Sequence, residues 1–140
     1  MTVPAVLAPL FAQVALIFAL LIWTGRARFA AARAGEVKIQ DIALGQRAWP
    51  TRVQQASNTF QNQFELPVLF YVLTALVLFT RKADLLFVVM AWVFVMSRFG
   101  HAYVYVTSNH VLTRFRVFLV GAIILMAMWL IFAVRILLGE

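Results

Sequence analysis

Glu65 stands inside an otherwise apolar run, and Arg98 and His101 stand inside another. An ionisable side chain in such a run is costly, and by default it marks a functional site or its charge partner. Asn58, Asn62 and Glu65 are spaced i, i+4, i+7, which places them on one face of a helix. Arg98, His101 and Tyr105 are spaced i, i+3, i+7, again one face. Arg26 and Arg28 follow the first apolar run, and Arg114 and Arg116 precede the last. One acid facing so many guanidinium groups leaves a surplus of positive charge, which calls for an anionic ligand or a lipid headgroup. The sequence has no cysteine, so disulfides, thiolate metal sites and a cysteine nucleophile are excluded, and no metal site is expected.

Each of these residues also has a plainer reading. Glu65 and Arg98 can neutralise each other as a buried structural pair. His101 alone is more often a packed core histidine than a catalyst. Tyr103 and Tyr105 fit interfacial aromatics, and Arg114 and Arg116 fit headgroup anchors. The thirteen Phe fit lipid-facing or core positions rather than a cofactor box.

The elements that must carry these residues follow from composition. Of 140 residues, 64% are apolar and 12% charged, against about 45–50% and about 25% in soluble proteins. A soluble domain of this size cannot hide so much apolar surface. Six Gly and four Pro exclude a collagen-like chain. A net charge of +7 would point to nucleic acid in a soluble protein; here it reports membrane topology, and no nucleic-acid partner is expected.

A bilayer core needs roughly 20 apolar helical residues. Residues 3–23 and 117–134 form clean spans, the first interrupted only by Gln13. Residues 60–79 and 85–105 reach that length only by including Glu65 and by including Arg98 and His101. Period-two alternation is absent, which argues against a membrane β-barrel. The first run has no basic segment ahead of it and is too long for a signal peptide, so it counts as a span. The fold class is therefore an all-α integral membrane protein, a four-transmembrane-helix bundle in one domain, with helices over about 3–33, 58–79, 85–106 and 114–138.

Spans two and three are joined by the short turn 80–84 and must be antiparallel neighbours. Spans one and two are separated by residues 24–58, with 26–33 extending the first helix, Gly35 and Gly45 as breakers, and Trp49-Pro50 as a turn or interfacial anchor. This connection and the third hold eight basic residues: Arg26, Arg28, Arg33, Lys38, Arg47, Arg52, Arg114 and Arg116. The other side holds three: Arg81, Lys82 and Arg135. That bias places the long loop in the cytoplasm and both termini outside. With about 1.5 Å of rise per residue, Glu65 lies about 10 Å deeper than Asn58, and Arg98 about 10 Å above Tyr105. Both polar faces then share the cytoplasmic half, where four helices converge on one basic pocket.

The stretch Asn62-Gln63-Phe64-Glu65-Leu66-Pro67-Val68-Leu69-Phe70 resembles the helix-two signature of the MAPEG superfamily, the membrane-associated proteins in eicosanoid and glutathione metabolism. The series Arg98, His101, Tyr105, Arg114 is similar to helices three and four of its prostaglandin E synthase branch. The resemblance covers essentially the whole chain, and the Phe-Glu-Leu-Pro-Val-Leu-Phe-Tyr form is most like bacterial members. It implies a homotrimer in a bacterial inner membrane, with glutathione bound between adjacent subunits near the cytoplasmic surface. By position, Arg28 comes from the neighbouring subunit, and Asn62 and Glu65 hold the peptide and amino groups. Arg98, His101 and Tyr105 surround them, and Arg114 stabilises the thiolate, since a nearby cation lowers a thiol's pKa. Family enzymes carry basic residues where this chain has Asn58 and Gln61, so Asn58 becomes a ligand contact of a different kind and Arg52 a substitute cation.

The function these features imply is glutathione-dependent conjugation or reduction of a lipophilic electrophile that enters from the lipid. A second reading is a non-enzymatic membrane protein whose basic pocket holds an anionic lipid or fatty acid. A third, a proton-coupled exporter of cations using Glu65, is opposed by the surrounding arginines, which hold the carboxylate ionised and repel cations.

Overall fold

Thr2 opens the first helix: its hydroxyl accepts the Ala5 N–H at 3.4 Å, and α1 runs from Val3–Arg33. The computed structural model describes residues 1–44 and 48–140. At 31 residues and about 1.5 Å each, α1 is about 46 Å long, so it outruns a hydrocarbon core of about 30 Å. Its end is closed by Gly35, whose φ of 75° is a left-handed conformation that costs glycine little. The Glu36 N–H then folds back onto the Ala31 carbonyl at 3.0 Å. A single short turn, α2 (Ile39–Ile42), follows. The expected breaker Gly45 and the basic Arg47 lie outside the described residues.

The second span differs from expectation. It begins at Thr51 rather than near 58, with Pro50 just ahead of α3 (Thr51–Gln61). It is also not one helix. A 3-10 turn over Asn62–Phe64 leads to Glu65, whose φ of −96° and ψ of −105° leave the helical region, and α4 (Leu66–Phe79) starts beyond it. Pro67 is the cause: it has no N–H for the Gln63 carbonyl, and its ring clashes with that carbonyl. The face expected to join Asn58, Asn62 and Glu65 is therefore interrupted before its last member. Asn58 and Asn62 are half-buried and Glu65 is exposed.

The third span is α5 (Leu85–Val106), capped by Asp84, whose carboxylate accepts the Phe87 N–H at 2.9 Å. The last is α6 (Val111–Leu137), which starts three residues before the expected 114 because His110 caps it; Nδ1 accepts the Thr113 N–H at 3.3 Å. Four segments are long and apolar enough to cross a membrane: Val3–Arg33, Thr51–Phe79, Leu85–Val106 and Val111–Leu137. Helix α5 packs against α1, α3 and α6, while α4 packs against α1 and α6.

The interior is divided along the bundle axis. Phe70, Leu73, Val77, Phe87, Phe94, Leu125 and Met128 form an apolar core around the α4–α5 end, with the Phe70 and Phe94 rings 4.9 Å apart. Toward the other end the buried side chains turn polar: Ser57, Thr59, Gln63, Arg98 and His101. The apolar residues buried toward that end include Leu16, Leu20 and Ala102, which pack with Phe60, and also Ala31, Val53 and Ala56.

Two contacts in this frame can be tested. A Cβ on Gly121 would stand 2.6 Å from Ser97 Oγ, so α5 and α6 approach through these two small residues. Gly121→Ala should cost about 1–3 kcal/mol by overpacking, read as a lower melting temperature in detergent, and Ser97→Ala in the same chain should restore most of it. At the opposite end, Arg135 meets Asp84 at 2.7 Å. Partial burial opposes ionisation of Asp84, but the Phe87 N–H and the Arg135 guanidinium outweigh it and hold the carboxyl below its ordinary value. A depressed carboxylate pKa adds stability above the unfolded value and loses it as pH falls through the folded one. The melting advantage over Asp84→Asn should be full at neutral pH, no more than about 1 kcal/mol for so exposed a pair, and should close as pH drops below about 3.9.

Candidate functional site

The break before Pro67 determines what Arg98 can reach. In a regular helix the Asn62 carbonyl would be taken by the N–H of residue 66; here it receives only a long 3.4 Å bond from the Glu65 N–H. Arg98, 1% exposed, crosses from α5 and donates Nη2 to that carbonyl at 3.1 Å. Its Nε and Nη1 have no hydrogen-bond partner. Arg98 and Glu65 do not form the buried ion pair considered from sequence. Among the described residues the ion pairs are Glu36–Arg52 and Asp84–Arg135.

One and two turns further along α5 come His101 and Tyr105. The His101 ring, 4% exposed, lies edge-on to Tyr105 at 5.9 Å and tilted against Phe118 at 6.0 Å, and its Nδ1 has no partner. Arg114, on the first turn of α6, places its Cζ 4.5 Å from the centre of the Tyr105 ring, a cation–π contact. Its Nη1 donates to Asn109 Oδ1 at 2.7 Å.

Together these groups wall a cleft of about 280 Å³, lined by Asn62, His101, Tyr105, Val111, Arg114, Phe115 and Phe118. Helix α6 contributes both the cation, Arg114, and the apolar lining, Val111, Phe115 and Phe118, while α5 and the 3-10 turn contribute His101, Tyr105 and Asn62. Such a cleft can hold a small anionic or polar group against Arg114 and an apolar partner against Phe115 and Phe118. Of the buried polar atoms without a hydrogen-bond partner, His101 Nδ1 belongs to a residue that lines the cleft, and Arg98 Nε and Nη1 to one that does not.

Of the residues singled out from sequence, Asn62, His101, Tyr105 and Arg114 meet in this cleft, and Arg98 backs it. The others do not line it. Arg28 donates Nε and Nη2 to Ser57 Oγ at 3.2 and 3.0 Å and lies over the Trp49 ring. Asn58 accepts from Gln54 Nε2 at 2.8 Å. Glu65 is exposed at the break. Arg52, expected as a substitute cation, is held by Glu36. The convergence of four helices is thus corrected: α1 contributes no lining residue, and the cleft belongs to the 3-10 turn, α5 and α6.

Sequence reasoning missed Gln63 and Asn109. Gln63 is fully buried; its Oε1 accepts from Gln13 Nε2 at 2.8 Å, and its Nε2 donates to the Thr59 carbonyl at 3.0 Å. The signal was that each glutamine is a polar interruption in its own span. Asn109 gave a weaker one, a turn-forming residue five before an arginine.

Among known families, the MAPEG family matches this chain over residues 6–134. No curated protein and no solved structure matches it.

The geometry of Glu65 and Arg98 generates a prediction opposite to that of a buried pair. Breaking a buried pair from one side costs about 3–5 kcal/mol, whereas surface changes stay within about 0.5 kcal/mol. Glu65→Gln should therefore leave the melting temperature of the unliganded protein nearly unchanged. In a double-mutant cycle with Arg98→Met, the coupling should stay below the several kcal/mol of a contact pair, because Glu65 acts on Arg98 across space and not through a hydrogen-bonded contact. A coupling of several kcal/mol would mean that the two charges do meet.

Proposed function

The chain belongs to the MAPEG family, a membership that supports an integral multi-pass membrane protein in glutathione or eicosanoid metabolism, and on that premise we propose that it is a glutathione-dependent transferase or peroxidase acting on lipophilic electrophiles. The observation that carries this reading is the placement of Arg114: a half-buried guanidinium in a cleft that it shares with the apolar Val111, Phe115 and Phe118 of the same helix. A thiol bound there has a cation beside its sulfur, which favours the thiolate at neutral pH. The sulfur bonds to the electrophilic carbon of an acceptor that enters between lipid-facing side chains, with Phe115 and Phe118 as its apolar contacts. A leaving group departs with its bonding pair, or a conjugated π bond opens and the resulting anion takes up a proton from water. Asn62, His101 and Tyr105 hold the rest of the peptide, and Arg98 supplies donors from behind.

The same reading includes assembly and orientation. We propose a homotrimer in which Glu65 and the outer face of α1 meet neighbouring subunits. Glu65 is exposed inside a span, where lipid is a poor environment for a carboxylate, and Phe11, Phe18, Ile22 and Phe29 are all at least half exposed along α1. Arg28 then adds its charge to the adjoining subunit's site. The basic bias supports a cytoplasmic long connection, with glutathione reaching the cleft from that side, and the bacterial form of the helix-two motif supports a bacterial inner membrane.

A second reading has an observation of its own. The apolar lining of the cleft would also suit the chain of an anionic lipid or fatty acid whose headgroup meets Arg114. The two readings separate in one experiment. With glutathione bound, the transferase shows the ultraviolet band of a thiolate and a raised melting temperature, a gain of about 2.7 kcal/mol at a hundred times the dissociation constant. Arg114→Ala abolishes the band and leaves the assembly intact. No band and an unmoved melting curve at millimolar glutathione would defeat the transferase reading and favour the lipid one.

A further inference from the structure

The roles above leave Asn109 unassigned, although both its backbone and its side chain act on Arg114. Its φ of 48° is left-handed, a conformation that asparagine tolerates better than other residues with a Cβ. The Asn109 N–H closes the end of α5 onto the Val104 carbonyl at 2.7 Å. His110, the next residue, caps α6 through the Thr113 N–H. The connection and the first turn of α6 are thereby joined into one fixed unit, and within it Asn109 Oδ1 accepts from Arg114 Nη1 at 2.7 Å.

Two restraints of different kinds then act on the guanidinium. The Tyr105 ring, 4.5 Å from Cζ, sets its distance from α5. The Asn109 amide sets its rotation, because a directional bond to one amino group leaves the others pointing elsewhere. The chemistry of the restraint matters as much as its geometry. An aspartate at this position would orient Arg114 equally well and would also cancel its charge, whereas the neutral amide leaves the positive charge free.

We propose that Asn109 is the positioning residue of Arg114, holding the guanidinium at the cleft wall with its charge uncompensated. The consequence for a bound thiol rests on the glutathione reading; the contact itself does not, and the test separates the two. Asn109→Gly keeps the left-handed turn and removes the amide, and Asn109→Asp keeps the turn and adds a charge. In arginine-¹⁵N-labelled protein in detergent micelles, rotation of the Arg114 amino groups is slowed in the unmodified protein. In Asn109→Gly it becomes as fast as in the exposed Arg33, and Asn109→Asp retains the slowing. Titration of the thiolate band of bound glutathione then shows the thiol pKa raised by about one unit in Asn109→Gly and by about one to three units in Asn109→Asp. Unhindered rotation in the unmodified protein, or an unchanged rotation rate in Asn109→Gly, overturns the proposal. An unchanged thiol pKa in Asn109→Asp overturns the charge argument even if rotation behaves as described. A missing thiolate band in the unmodified protein is the failure of the glutathione reading alone, and the rotation measurements then decide the role of Asn109.

Discussion

A proline inside a spanning helix withholds one N–H and pushes away the carbonyl four residues before it, and in lipid no water repairs the loss. Pro67 imposes that constraint here, and the polar half of the bundle is organised around it. The chain answers with a 3-10 turn over Asn62–Phe64 and an irregular Glu65. The Asn62 carbonyl, weakly held within its own segment, becomes the acceptor for Arg98 from the facing helix. Just ahead of the proline, Gln63 is anchored on both sides, by Gln13 of α1 and by the Thr59 carbonyl. The 3-10 turn is thus hydrogen-bonded to α5 through a main-chain carbonyl that a regular helix would have kept for itself, and to α1 through Gln13.

This arrangement explains why apolar and polar interiors occupy opposite ends. Beyond Pro67, α4 is regular and its buried residues, Phe70, Leu73 and Val77, pack against Phe87, Phe94 and Leu125. Lipid supplies no hydrophobic drive for that packing, so close fit must hold it together, as at Gly121 and Ser97. On the other side of the break, directional polar contacts replace fit. A cleft is tolerated there because the surrounding backbone is tied down by side-chain bonds from Arg98 and Gln63 and by the Asn109 N–H on the Val104 carbonyl.

Four spans were legible because apolar run length is a strong signal in a chain with so few charges. The meeting of His101, Tyr105 and Arg114 was legible for a local reason: His101 and Tyr105 are a turn apart on one helix, and a short connection returns the chain to the same level. The placement of Glu65 was not. Its i+7 relation to Asn58 assumes a regular helix, and Pro67, visible in the same stretch, removes that regularity between them. The partners that Arg28 and Arg52 take within the subunit were not legible, for another reason. Charge counts place arginines at a depth, but partners such as Ser57 and Glu36 decide where the guanidinium turns.

The two arginines of the polar half therefore differ in kind. Arg98 is nearly inaccessible and spends one donor on a main-chain carbonyl, so it sets the shape of the wall. Arg114 is half-buried, has its Cζ 4.5 Å from the centre of the Tyr105 ring and is bonded to a neutral amide, so its charge stays open to the cleft. In surroundings of low dielectric, cations on one wall repel each other more strongly than in water, and no carboxylate of this subunit forms an ion pair with either of them among the described residues. An anion in the cleft would relieve that repulsion as well as meet Arg114 directly.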